Sequence, residues 1–236
     1  PLDAEPSPAW QGTLAHKILE DWHKGKGRLD ALAEQHLEAM NAHPLTRALW
    51  RPRLLRALEW VELKLAQNEG RNPEIVEKKG EMSVNGVTIH GKVDRIDRLP
   101  DGSMAIIDYK TGNPPSAKQV DAGYALQLGT LGLIAEACGF GTQPGIASAF
   151  EYWSLGRDDK SETGFGKIVS PVKTANNRSP IDPAKFLPET RRMLEEALDK
   201  WILGDAPFTA RENPDAPVYA TFDQLMRLEE WLGRDQ

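Results

Sequence analysis

Two acidic side chains and a lysine in the middle of the chain have the types and spacing that phosphodiester hydrolysis needs. Asp108 and Lys110 lie in the segment IIDYKTG, and Asp94 lies in GKVDRID, fourteen residues before Asp108. Paired carboxylates can hold Mg²⁺, which keeps waters and phosphate oxygens among its ligands. The metal polarises the phosphate and activates water, while a lysine orients that water or neutralises developing charge. A structural Asp108–Lys110 ion pair is the alternative interpretation.

The surrounding segment, residues 91–112, is predicted to form a β-hairpin. Its first arm, residues 87–99, is rich in Val and Ile. Its second arm, residues 103–110, is almost continuously apolar until its end. A Pro-Asp-Gly sequence at residues 100–102 supplies the turn between the arms.

Alternation along the strands decides which of these charged side chains can meet. Asp108 and Lys110 are two residues apart, so they share one face and Tyr109 takes the other. Asp94 and Asp97 are three residues apart and face opposite ways. Only one of these two acids can therefore readily join Asp108.

Three motifs in a fixed order, GKVDRID, IIDYKTG and YALQ, resemble the RecB-type branch of the PD-(D/E)XK nuclease superfamily. The resemblance implies an active site of Asp94, Asp108 and Lys110, which match the acid of GxxD, the acid of DYK and its lysine. The YxxQ pattern is matched by Gln127, with Tyr124 in a supporting role on the same helix face. Gln127 would bind a metal-bound water or the scissile strand.

An early GxxxH pattern extends the resemblance, because His16 follows Gly12 at that spacing. By its position alone, a lone helical histidine is more often a packing or surface residue. The resemblance implies instead that His16 joins Asp94 and Asp108 in holding one or two Mg²⁺ ions, for which Mn²⁺ can substitute. It also implies an α/β fold with a restriction-endonuclease-like core, a central mixed β-sheet flanked by helices, and a helical N-terminal segment.

Two further stretches, DYKTGNPPSAKQV and YATFDQLMRLEEW, resemble the C-terminal nuclease domains of AddB subunits in alphaproteobacterial AddAB helicase–nucleases. This resemblance implies an Mg²⁺-dependent exonuclease that cuts DNA in double-strand break repair and recombination. The implied partners are DNA and an AddA-like subunit, and the implied location is the bacterial cytoplasm. No GxxxxGK[ST] motif occurs in the chain, so a motor would lie elsewhere. The start at Pro1 without Met suggests a fragment of a longer polypeptide.

Two other classes of function stay open. One is a catalytically inactive nuclease-like scaffold or DNA-binding module, which the intact Asp94, Asp108 and Lys110 disfavour. The other is a different Mg²⁺-dependent RecB-like nuclease, such as a phage exonuclease or a CRISPR-associated nuclease. The AddB-like tail and the absence of a cysteine set disfavour the latter.

Composition limits the remaining classes. The 236 residues, 40% of them hydrophobic, suit one globular domain with a sizeable core. The single cysteine, Cys138, excludes an internal disulfide and a four-cysteine iron–sulfur cluster. Neither an apolar run of membrane-spanning length nor a signal peptide pattern occurs, so no membrane association is expected. A net charge of −6 argues weakly against a strong stand-alone DNA binder.

Periodicity predicts the elements around the hairpin. Helices are expected over residues 10–24, 29–40, 45–68, 117–137, 182–203 and 221–232. Further strands are expected over residues 75–84, 145–155 and 165–172. The expected division is a helical part at 1–70 carrying the histidine motif, a nuclease core at 71–204, and a linker with a last helix at 205–236.

Basic residues offer candidate contacts with DNA phosphate at Arg51, Arg95 and Lys118. Arg51 belongs to the densest basic cluster of the chain, which also contains Arg47, Arg53 and Arg56. The cluster is either a DNA contact or a solvated helix face, and we favour the solvated face.

Two acids precede the hairpin, Glu77 and Glu81. Either could lie near the metal, because some superfamily members use an additional acid. Solvent-facing positions on a strand are the expectation we favour for both. The dipeptide Asn85–Gly86 that follows them is a hairpin turn signal.

Overall fold

The structure is a computed structural model that describes residues 8–40, 44–68, 70–175 and 177–207. The chain divides into two compact units, residues 1–194 and 195–236. The sheet and the three helices before it belong to the first unit. The helix expected at 221–232 lies outside the described residues, and the division at residues 70 and 204 stays a prediction.

Three helices come first: α1 (Pro8–His23), α2 (Leu29–Ala39) and α3 (Pro44–Gln67). Each agrees with its predicted span to within two residues at either end. Apolar residues recur at helical spacing, and they face a common core with Leu14 and Ile18 of α1 almost fully buried.

A mixed sheet follows, built from β1 (Asn72–Val84), β2 (Val87–Arg98), β3 (Met104–Lys110), β4 (Ala147–Arg157) and β5 (Phe165–Val169). The five strands lie in sequence order. Neighbours run antiparallel except for β3 and β4, which are parallel. The predicted hairpin and the predicted α/β fold with a mixed sheet are thereby confirmed.

The two faces of β3 carry different chemistry. Ala105, Ile107 and Tyr109 join the apolar core formed with α1, α2 and α3. The alternate residues face the other side of the sheet, where Asp108 and Lys110 form an ion pair. Alternation therefore placed the carboxylate and the ammonium correctly on one face.

The helix expected over residues 117–137 is wrong as a single element. The chain forms α4 (Ala117–Asp121) and α5 (Gln127–Glu136), separated by five non-helical residues. Gly123 ends the first helix at φ +81°, a left-handed conformation that glycine adopts without steric cost. Tyr124 is consequently outside both helices and 52% exposed, so it does not share a helix face with Gln127 as predicted.

A further helix, α6 (Pro183–Ala197), buries Phe186 and Leu187. The expected helix over 182–203 changes character at Ala197, because Leu198–Ile202 forms a π-helical turn. Among the described residues, no helix is both long and apolar enough to cross a membrane.

Close contact between α3 and β5 joins the N-terminal helices to the sheet edge. Trp60 of α3 is 2% exposed, and its ring centroid lies 5.4 Å from that of Trp153 in β4. A Cβ placed on Gly166 of β5 would lie 2.0 Å from the Trp60 indole. Only glycine therefore permits this approach, and Gly166 also has φ +86°.

We predict that Gly166→Ala lowers the free energy of unfolding by about 2–4 kcal/mol, from a left-handed alanine and an overpacked indole. Urea unfolding monitored by tryptophan fluorescence measures the change. Gly164→Ala is the matched control, because Gly164 has φ +72° with open space around the added methyl group. It should lose only the smaller backbone contribution, and equal losses in both variants would contradict the Trp60 contact.

Candidate active site

The candidate site lies where β2 and β3 separate. The paired residues run from Arg98 opposite Met104 to Arg95 opposite Ile107, and the ladder stops there. Beyond it, the Tyr109 amide donates to the Asp94 side chain, with 2.8 Å to Oδ2. A carboxylate thus takes the place of a strand partner, which fixes Asp94 at this point of the sheet.

The Tyr109 carbonyl positions the histidine. His16 Nε2 lies 3.0 Å from this oxygen and donates to it, so α1 is tied to the end of β3. The other ring nitrogen, Nδ1, faces Asp94 Oδ1 and Glu77 Oε1, both at 3.3 Å. Ligand atoms of His16, Glu77 and Asp94 all lie within 4.8 Å of one another, close enough to share one metal ion.

Glu77 belongs to the candidate metal cluster, a position that the sequence interpretation named only as the less favoured alternative. Its side chain is 3% exposed and lies 2.5 Å from Lys92 Nζ, so the solvent-facing expectation is wrong. The residue has φ +48°, and such strain in a non-glycine residue persists where surrounding contacts stabilise it. For Glu81 the expectation is confirmed, since its side chain is 64% exposed.

The hairpin turn held the signal that could have found Glu77. A turn at Asn85–Gly86 sets Val84 opposite Val87, as the structure shows. Counting back through the paired residues, Val76 opposite Arg95 and Lys78 opposite Val93, brings Glu77 level with Asp94. The register therefore aligns the two acids even though alternation alone does not assign a buried face to Glu77.

Asp108, Lys110 and Gln127 form a second group beside the first. Asp108 Oδ2 lies 2.7 Å from Lys110 Nζ, and Gln127 Nε2 donates to Asp108 Oδ1 at 2.6 Å. Lys110 Nζ also donates to Gln127 Oε1 at 3.0 Å. Both ends of the Gln127 amide are therefore engaged, and its contacts orient the acid and the lysine.

Negative charge is concentrated at this point, and the pKa values reflect it. Burial by itself lowers the pKa of His16, but hydrogen bonds and charges from Asp94 and Glu77 outweigh it and raise that pKa to about 10. Burial, helped by the charge of Asp94, raises the pKa of Asp108 to about 6 against the opposing effect of Lys110. In the protein without metal, a proton on His16 balances part of this negative charge.

The donor set fits a divalent cation. It combines one imidazole nitrogen with carboxylate oxygens, and carboxylates are the ligand type that suits Mg²⁺ and Mn²⁺ in proteins. Asp108 Oδ2 is buried, and its close partner is the Lys110 ammonium at 2.7 Å. Asp108 is not part of the three-residue cluster, but this oxygen retains a lone pair for a cation.

Arg95 does not reach solvent, so its predicted contact with DNA is wrong. Its side chain is 0% exposed, pairs with Asp97, and lies 4.2 Å from the centre of the Trp153 ring. The guanidinium also donates to the Tyr109 hydroxyl, which His23 Nε2 contacts at 3.2 Å. Arg95 thus supports the side chain of Tyr109, and the main chain of the same residue holds Asp94 and His16.

The other two basic candidates are at the surface. Arg51 forms an ion pair with Glu34 of α2, which engages its guanidinium within the protein. Lys118 is exposed in α4, beside a capping box formed by Ser116 and Gln119. Neither lies among the close contacts of the two site groups.

The family to which the chain belongs agrees with this geometry. Residues 1–216 match the family model of the PD-(D/E)XK nuclease superfamily. The chain belongs to this superfamily and is a nuclease-type domain.

Individual relatives are more distant. An uncharacterized protein of Rickettsia bellii is 26% identical over 138 residues, which cover 52% of this chain and 17% of that protein. The chain thus spans a small part of the length of these relatives. An ATP-dependent helicase/deoxyribonuclease subunit of Streptococcus pyogenes is 51% identical over 39 residues, 16% of this chain and 3% of that protein. A solved structure of a candidate exonuclease from Eubacterium rectale is 13% identical, with a TM-score of 0.45, 94% of this chain covered and 80% of that one.

The raised pKa of His16 predicts a pH dependence of stability without metal. Because the folded state binds this proton more tightly, the stabilisation is complete below the unfolded pKa of about 6.5 and is lost as pH rises toward about 10. Urea unfolding in EDTA should show that the free energy of unfolding declines from about pH 7 to about pH 10. In His16→Gln this decline should be smaller by a few kcal/mol. His90→Gln, at an exposed histidine of the same sheet, should keep the native decline. Equal slopes for native protein and His16→Gln would refute the assignment.

Proposed function

We propose that this chain is a metal-dependent deoxyribonuclease domain that hydrolyses phosphodiester bonds as an exonuclease. The observation that carries the proposal is the adjacency of two groups. One has the donor set of a metal site, His16, Glu77 and Asp94, and the other pairs an acid with a lysine. Membership of the PD-(D/E)XK superfamily supports the same reaction class.

The metal would be held at the separation of β2 and β3. His16, through Nδ1, would be a ligand together with Glu77 and Asp94, and Asp108 belongs to the neighbouring group. Oxygen donors predominate, which favours Mg²⁺, and the imidazole makes Mn²⁺ a ready substitute. When bound, the cation would polarise a phosphate oxygen and lower the pKa of a water molecule.

The remaining residues would act on the reacting phosphate through position and charge. Lys110, whose side chain is 28% exposed, can turn its ammonium toward an incoming water or a non-bridging phosphate oxygen. Gln127 holds Asp108 and Lys110 in place by donating to one and accepting from the other. We therefore assign Gln127 a positioning role rather than the direct contact with water or substrate implied by the resemblance.

The biological setting we propose is a bacterial helicase–nuclease that processes double-strand breaks, with an AddA-like partner. The short match to the Streptococcus pyogenes protein supports this setting. The Rickettsia relatives are several times longer than their matched region, which supports a role as one domain of a larger protein. In such a complex a motor would feed a strand to the site, so a modest affinity of this chain for DNA would suffice.

Asp108→Asn should abolish DNA cleavage, because it removes charge from a carboxylate that lies against Lys110. We expect a loss of at least about 10²-fold in rate with linear single- or double-stranded DNA and Mg²⁺ or Mn²⁺. Lys110→Ala should lose a similar factor. Asp101→Asn, in the exposed turn of the same hairpin, should cleave like the native chain. Retained cleavage by Asp108→Asn, with an unchanged circular dichroism spectrum, would defeat the proposed centre.

Glu77→Gln should weaken metal binding, because it removes one of three clustered ligands. Calorimetric titration with Mn²⁺ should show a dissociation constant raised by at least about tenfold. Glu81→Gln is the matched control on the same strand, since this exposed acid pairs with His90 away from the site. Unchanged Mn²⁺ affinity in Glu77→Gln would remove Glu77 from the ligand set, and the readout does not depend on cleavage.

A further inference from the structure

A groove of about 900 Å³ is lined by residues of α1, α3, β4 and β5 and by Thr111 after β3. Thr111, the residue after Lys110, lines it, as does Ala15, the neighbour of His16. The groove therefore includes residues that adjoin Lys110 and His16 in the chain.

Arginines from two separate elements converge on the groove. Arg53 and Arg56 are three residues apart and share one face of α3. Within the described ranges, neither of them takes part in an ion pair. Arg157 of β4 lies across from them and contacts Asp159 at 2.9 Å, with side chains 77% and 79% exposed. A pair so exposed contributes little, and a phosphate can replace its carboxylate.

The other arginines of α3 behave differently. Arg47 and Arg51 lie against acids of α2, Arg47 at 3.8 Å from Glu38 and Arg51 in contact with Glu34. The basic cluster expected from sequence is thus divided by the fold. One pair of arginines faces acids of α2, and the other faces the groove.

Apolar and aromatic side chains interleave with the groove arginines. Leu49 is 62% exposed there, and Trp50 and Phe165 line the same surface. Trp50 is held in place by Trp10, whose ring centroid lies 5.3 Å away. Positive charge beside aromatic rings is the combination that binds single-stranded nucleic acid, through phosphates and stacked bases.

We propose that this groove binds single-stranded DNA next to the cleavage site. The inference rests on the proposed nuclease function, since it names the route of that function's substrate. A single strand fits the chemistry better than a duplex, because paired bases are stacked inside the duplex and cannot reach Trp50 or Phe165. Arg53, Arg56 and Arg157 would contact successive phosphates.

The test measures binding in EDTA, where cleavage is off. The probe is a fluorescein-labelled oligothymidylate of about 12 nucleotides, followed by anisotropy with the 236-residue chain. The double variant Arg53→Ala/Arg56→Ala should bind at least about tenfold more weakly at low salt. The logarithm of the association constant decreases with the logarithm of the salt concentration. In the double variant this slope should become less steep by about 1.4, or 0.7 for each lost phosphate contact.

Arg47→Ala/Arg51→Ala is the control, because it removes the same charge from the same helix on the face turned to α2. Near-native affinity in this control supports the groove. Equal losses in the two double variants would overturn it, since the effect would then be net charge alone. Absence of binding by the native chain, or equal affinity for a blunt duplex of the same length, would also overturn it.

Hydrolysis of bis(p-nitrophenyl) phosphate with Mn²⁺ separates this inference from the proposed function. The small ester needs the site and not the groove, so the Arg53→Ala/Arg56→Ala protein should hydrolyse it at the native rate. Selective loss of oligonucleotide binding without any hydrolysis by native protein would support the groove and refute the nuclease. Hydrolysis together with native oligonucleotide affinity in the groove variant would support the nuclease and refute the groove.

Discussion

The main-chain amide and carbonyl of Tyr109 provide the constraint on which the candidate site depends. These two groups would normally continue the β2–β3 ladder, but the strands separate and the groups bind Asp94 and His16 instead. A backbone group in this interior must find a partner, so the same requirement that extends a sheet here fixes two site side chains. Elements far apart in sequence, α1 and β2, are thus brought to one end of β3.

The side chain of Tyr109 is held in place by a buried charged group, the guanidinium of Arg95. Arg95 is enclosed by Asp97, Trp153 and the Tyr109 hydroxyl. Loss of one partner would leave a buried charge uncompensated, which typically costs several kcal/mol. A rigidly held Tyr109 side chain therefore supports the placement of Asp94 and His16, which contact the main chain of the same residue.

Charge distribution, rather than net charge, is what bears on function here. The chain carries a formal charge of −6, yet Arg53, Arg56 and Arg157 line one groove, while Glu77 and Asp94 gather in the candidate metal site. An acidic pocket attracts a cation, and that cation would in turn offset the repulsion between the pocket and a phosphate. An acidic protein with this arrangement can act on a polyanion, although its overall composition argues weakly against strong DNA binding.

The sequence by itself determined the local features: the hairpin, the shared face of Asp108 and Lys110, and the N-terminal helices. Alternation, helical period and turn residues predict these features because they are short-range properties. The mixed sheet was expected from the family resemblance instead.

Only tertiary structure decided the rest. Burial of Arg95 depends on Trp153 in β4, and the exposure of Tyr124 follows from a helix break at Gly123 that periodicity did not reveal. The place of Glu77 opposite Asp94 follows from the hairpin register, whereas its contact with His16 required the approach of α1. Local patterns specify which face a side chain takes, whereas long-range packing specifies what it meets there.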